Sequence, residues 1–199
     1  MAHFVLRKDK LIVCEGLDDK DICEKLINIL NLDNIQVEQT HGKDKTSEFL
    51  ETSKDIEDAK SIAVIRDADD DPRGAFNSVC SALKNANLPV PNAHFMKRRT
   101  KGSPDVSVFI VPDGLNNMGE METLFVKSII DKPIYLKCIK EFVECAGKNG
   151  FKGSRRTEAY AYISVLKKQH RFGESVKNDG WGDLSHPCFD DLKKFLRQI

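Results

Sequence analysis

The sequence predicts an α/β fold: a mostly parallel sheet with helices on both faces, plus C-terminal helices. Three observations predict it. Apolar runs rich in Val and Ile recur at Leu11–Cys14, Ile62–Ile65 and Val106–Val111, and such runs read as strands buried on both faces. Helical patterns separate them, and strand–helix alternation implies right-handed crossovers in a parallel sheet. Two of the runs stop at carboxylates. The first ends at Glu15-Gly16, followed by Asp18 and Asp19; the second ends at Asp67-Ala68-Asp69, followed by Asp70 and Asp71.

Each element has its own signal. The first strand covers about residues 11–15, and Asp18 or Asp19 caps a helix carrying Ile22, Leu26, Ile27 and Leu30. Residues 35–40 alternate like a short strand, and His41–Lys45 is a polar turn. Thr46 or Ser47 caps a helix to about Lys60, after which the second carboxylate-ended strand begins. Pro72 suits a helix start, and Phe76, Val79, Cys80 and Leu83 share one face of that helix. Leu88-Pro89-Val90-Pro91 breaks it before the strand at 106–111. Beyond Gly119 the patterns are helical, at about 120–130, 133–146, 155–168 and 188–198, with a polar, Gly-containing connection from Phe172 to Pro187. Residues 1–130 therefore read as an α/β core and 131–199 as a helical extension packed on it.

Composition narrows the class. With 199 residues and 40% apolar content the chain buries a real core. The 31 basic and 31 acidic residues cancel, so polyanion binding must come from a local patch. Six cysteines form no C-x-x-C pair, and Cys14, Cys80 and Cys138 sit in core-like runs. That usage fits reduced thiols rather than disulfides or zinc. No stretch is long and apolar enough to cross a membrane. The expectation is a soluble, cytoplasmic protein without membrane association.

The acidic strand ends carry the chemistry. In an open parallel sheet, ligands bind beyond the carboxyl ends of the strands, so both carboxylate sets should share one rim. Two unit charges ~4 Å apart repel by ~4 kcal/mol at an effective dielectric of ~20. A hard cation held through oxygen removes that cost, and Mg²⁺ suits a site with few protein ligands. Asp67 and Asp69 are two apart and point to one side of an extended backbone. Glu15, held by the turn at Gly16, reads as a metal ligand or a general acid/base. Each also has a plainer reading, Glu15 as a solvated loop residue and the aspartates as turn formers. Lys97-Arg98-Arg99, Arg155-Arg156 and Lys43 are candidate phosphate contacts or ordinary solvated faces.

The stretch Val13-Cys14-Glu15-Gly16-Leu17-Asp18-Asp19, followed by Ile65-Arg66-Asp67-Ala68-Asp69, resembles the Toprim domain. That domain occurs in topoisomerases, DnaG-type primases and OLD-family nucleases. The resemblance covers roughly residues 8–130 and is closest to the OLD pattern. It implies a Toprim-like, Rossmann-like sheet and Mg²⁺- or Mn²⁺-dependent phosphoryl transfer on DNA or RNA. Glu15 matches the glutamate that ligates metal or moves a proton, and Asp67 and Asp69 match the metal-binding aspartates. Asp19 matches an aspartate that OLD-type nucleases add four residues after the glutamate. Glu120 and Glu122 are candidates for the acidic residue that follows a later strand and helps hold a second metal; plain helix N-terminal charge is their other reading. Lys152 is the match for a catalytic lysine. OLD proteins carry an ATPase in the same chain, so one further reading is a nuclease subunit that works with a separate ATPase partner. The alternative is a non-catalytic Toprim-fold module that binds metal, nucleotide or protein. No P-loop, dinucleotide fingerprint or nucleophile elbow is present. His186-Pro187-Cys188 reads as a capped turn before the last helix, docked by Trp181 and Phe189.

Overall fold

The computed structural model describes residues 4–128, 133–151, 155–164, 171–179 and 183–199. Strands β1 (Lys10–Cys14), β2 (Ile35–Gln39), β3 (Ser61–Asp67) and β4 (Asp105–Val111) form one sheet in the order β2-β1-β3-β4. Every pairing among them is parallel. Helix α1 (Leu17–Ile29) leads to β2, α2 (Thr46–Thr52) leads back to β3, and α3 (Pro72–Asn85) leads to β4. After β4 come α4 (Met121–Ser128), α5 (Pro133–Lys148), α6 (Arg155–Ser164), α7 (Phe172–Asp179) and α8 (Asp190–Gln198).

The strand order makes β1 and β3 neighbours although the chain leaves β1 first for β2. The sheet therefore has its topological switch point between β1 and β3. Alternate strand residues feed two cores. Ile12, Cys14, Ala63, Ile65, Phe109 and Val111 meet Leu26 of α1 and Phe125, Tyr162, Phe172 and Phe195 of α4, α6, α7 and α8. Leu11, Val13, Ile62, Val64, Val108 and Ile110 meet Leu50 of α2 and Phe76, Val79 and Leu83 of α3. Residues beyond 130 thus share a buried cluster with β1.

Several local expectations are corrected. The helix expected over 46–60 ends at Thr52, and a 3-10 turn spans Lys54–Asp58. The tighter turn lets Ile56 join the α2–α3 core at 3% exposure. The connection expected after Phe172 is instead α7, because Phe172 and Val176 lie one turn apart and both bury. Gly173 is no breaker: a Cβ there would stand 2.5 Å from the Asp18 Cα. Neither Asp18 nor Asp19 is the N-cap of α1; Gly16 is, and the Asp19 carboxylate reaches back to accept from its N–H. Cys138 is exposed rather than in the core, and all six cysteines are free thiols. His186 does cap the turn, accepting from the Cys188 N–H, whereas Trp181 lies outside the described residues.

Candidate metal centre

The register brings the two acidic strand ends together. Cys14 pairs with Ile65, so Glu15 and Arg66 face each other one step beyond. Their side chains meet, with Arg66 Nε 2.7 Å from Glu15 Oε1. Period-two alternation sends both toward α2 and α3 and sends Asp67 to the other face, toward α1 and α4. There Asp67 Oδ1 accepts from the Met121 N–H at 3.0 Å, at the start of α4. The next residue, Glu122, is buried at 4% exposure. Asp19 comes from the first turn of α1, above the end of β1. Burial pushes its carboxyl up to about 7, and the charges of Glu122, Glu15 and Asp18 add to the effect. Glu15, Asp19, Asp67 and Glu122 thus stand around the switch point, Glu15 on the α2–α3 face and Asp67 on the other.

Asp69 and Glu120 lie slightly further out. Asp69 and Gly119 exchange backbone hydrogen bonds of 3.0 and 2.9 Å, which fixes the loop after β3 against the approach to α4. Asp69 is held in the left-handed region at φ 49°, a conformation Asp tolerates better than most residues. Its Oδ2 stands 3.5 Å from Lys43 Nζ. The Lys43 loop is tied to β1 by the Gly42 N–H donating to the Glu15 carbonyl at 2.9 Å. A cavity of about 800 Å³ opens there, lined by Lys43, Arg66, Asp69, Asp70, Gly119 and Glu120 among others. Asp71 is spent otherwise, capping α3 by accepting from the Gly74 N–H at 2.9 Å. Asp18 is likewise structural: it accepts from Arg171 Nη1 at 2.6 Å and from the Gly173 N–H at 2.9 Å.

The basic candidates separate. Lys43 is at the rim. Lys97, Arg98 and Arg99 are not: Arg98 bridges Val106 at the start of β4, and Lys97 and Arg99 lie 3.8 and 3.4 Å from Asp105. From Val106 to Val111 is roughly 16 Å at ~3.3 Å per residue, so this segment occupies the opposite end of the sheet. Arg155 opens α6, with Arg156 next to it, but their side chains, like the whole of Lys152, lie outside the described residues. Arg66 went unnoticed as a site residue. A lone Arg inside the Val-Ile run, directly before Asp67, was the available signal.

The donor set at the switch point is all oxygen, the chemistry of a hard divalent cation. Among the described residues, no three carboxylate, thiol or imidazole groups converge closely enough to hold one ion as the side chains lie. The donors therefore fit Mg²⁺ or Mn²⁺ by type, and ligation requires side-chain rotation.

These features define an open α/β protein with a carboxylate rim at the switch point of a parallel sheet. The chain belongs to the family described as "Protein of unknown function (DUF3226)", whose model matches residues 9–199. No curated protein matches it. Among solved structures, it is similar to the C-terminal region of the Xanthomonas campestris pv. campestris OLD protein. The iodine-phased structure gives a TM-score of 0.52 at 12% identity over 98% of this chain and 96% of that one. The mercury-phased structure gives 0.50 at 13% identity over 98% and 97%. The C-terminal region of the Burkholderia pseudomallei OLD protein gives 0.49 at 12% over 96% and 98%, too distant to add weight. At such identity the likeness is one of fold. No helix among the described residues is long and apolar enough to cross a membrane.

Proposed function

We propose that this chain is a Toprim-type, metal-dependent nuclease or nuclease subunit that hydrolyses phosphodiester bonds of DNA or RNA. The observation that carries this reading is the placement of Glu15 and Asp67 at the carboxyl ends of adjacent parallel strands. Asp19 and Glu122 add two carboxylates from separate helices.

Asp67, Asp19 and Glu122 would hold Mg²⁺ or Mn²⁺, with Glu15, Asp69 and Glu120 as nearby oxygen donors. A bound cation of this kind neutralises charge on the phosphodiester oxygens. The Met121 N–H fixes the Asp67 carboxylate, so its orientation is set before substrate arrives. Glu15, steadied by Arg66, is the candidate to take a proton from the attacking water. Lys152 remains the candidate catalytic lysine by resemblance, and Arg155 and Arg156 candidate phosphate contacts. Lys97, Arg98 and Arg99 would serve only a polyanion long enough to reach the far end of the sheet. A separate ATPase partner is part of this reading, as is a cytoplasmic location.

A second reading, a non-catalytic Toprim-fold binding module, is favoured by one observation. Arg66 already neutralises Glu15 without a metal. Incubation with plasmid, single-stranded DNA and RNA in Mg²⁺ or Mn²⁺ separates the two. A nuclease cleaves at least one substrate and loses cleavage on Asp67→Ala and on Glu15→Gln. Wild-type protein that cleaves nothing, alone or beside a candidate ATPase, removes the nuclease reading.

A further inference from the structure

We infer that Arg66 and Lys43 form a phosphate-binding subsite on the α2–α3 side of the rim. It would receive the nucleic-acid phosphate next to the one hydrolysed. The inference rests on the nucleic-acid reading above and assigns a role to a residue that reading uses only to steady Glu15.

Arg66 is nine-tenths buried, at 8% exposure. Its Nε faces Glu15 Oε1 at 2.7 Å and its Nη1 donates to the Lys43 carbonyl at 3.3 Å. A guanidinium carries five N–H groups in a rigid fork. Neutralising Glu15 requires only the Nε edge, which leaves Nη donors for a further acceptor. Arg66 and Lys43 both line the 800 Å³ cavity, and both also line an adjoining one of about 430 Å³ between α2 and α3. The second cavity is walled by the hydroxyl residues Thr46, Ser47, Ser78 and Ser81, with Asp44 its one carboxylate. Two cations suit a phosphate, which Arg binds by paired N–H donors; of the hydroxyls, those of Ser47 and Ser81 already donate to Glu51 Oε1 and the Asn77 carbonyl. Asp69, Asp70, Asp71 and Glu120 line only the larger cavity, so a phosphate in the smaller one is set apart from that negative charge.

The test measures binding of short single-stranded DNA and RNA oligonucleotides, and of inorganic phosphate, in EDTA at low ionic strength. Glu15→Gln should bind as well as wild type or better. Glu15→Gln/Arg66→Gln, which leaves neither partner charged alone, should bind at least tenfold more weakly than Glu15→Gln. Ser78→Glu, at an exposed position, should weaken binding without touching the Arg66 pair, and serves if the double variant does not fold. The Arg66 Nε–Hε resonance should shift on titration with oligonucleotide. Equal binding by Glu15→Gln and the double variant, or an unmoved Arg66 resonance, overturns the subsite. A shift with inorganic phosphate but not with oligonucleotide overturns its assignment to nucleic acid. The nuclease reading fails separately, by absent cleavage, because binding in EDTA requires no metal and no turnover.

Discussion

Asp19 holds a displaced carboxyl at the rim, at about 7 against an ordinary ~3.9 in an unfolded chain. A carboxylate raised by folding adds stability below its unfolded value and forfeits it as pH rises through the folded one. Ionising Asp19 therefore destabilises the metal-free protein, progressively from pH ~4 to pH ~7. Asp19→Asn keeps an acceptor for the Gly16 N–H and removes the charge. It should raise Tm without metal, and by more at pH ~8 than at pH ~5, as thermal melts at both values would check. Mg²⁺ should raise the wild-type Tm at the higher pH by mass action. Asp67→Asn should blunt that response, and calorimetry that detects no binding at millimolar Mg²⁺ would remove the metal site.

Helix α7 shows how an element escapes sequence reading. Its pattern is short, opens with Phe172-Gly173, and looks like a polar connection. Only the packed structure shows that α7 lies against α1, where Gly173 lets the backbones approach and Arg171 and Lys177 pair with Asp18, Asp21 and Glu24. Gly173→Ala should cost about 1–3 kcal/mol, the range for overpacking. Asp18→Ala, which strips a partner from Arg171 and the Gly173 N–H, should cost about 1–3 kcal/mol as well. Urea unfolding of both variants measures this. The strands and their acidic ends were legible because buried strands need unbroken apolar runs and site carboxylates interrupt them abruptly. The far position of Lys97–Arg99 was not, because it depends on an antiparallel bridge between Arg98 and Val106. Arg66 was hidden for a related reason: its partner, Glu15, is distant in sequence and adjacent only through strand register.

Across the whole molecule, the rim depends on helices far along the chain. Phe195 of α8 packs tilted against Phe109 of β4 with ring centroids 5.2 Å apart, and both are fully buried. Phe195→Ala should destabilise the fold by about 3–5 kcal/mol, and a fragment of residues 1–130 should give the spectrum of a loosely packed chain, as near-UV circular dichroism would show. The same contact sets an order of events during synthesis. The four strands are all made by residue 111, yet on one face of the sheet only α1 has been made by then, and Phe109 lacks its Phe195 partner until α8 has left the ribosome. The Asp67 carboxylate likewise lacks the Met121 N–H until the start of α4 is made. A nascent chain therefore exposes apolar sheet surface before its rim is finished.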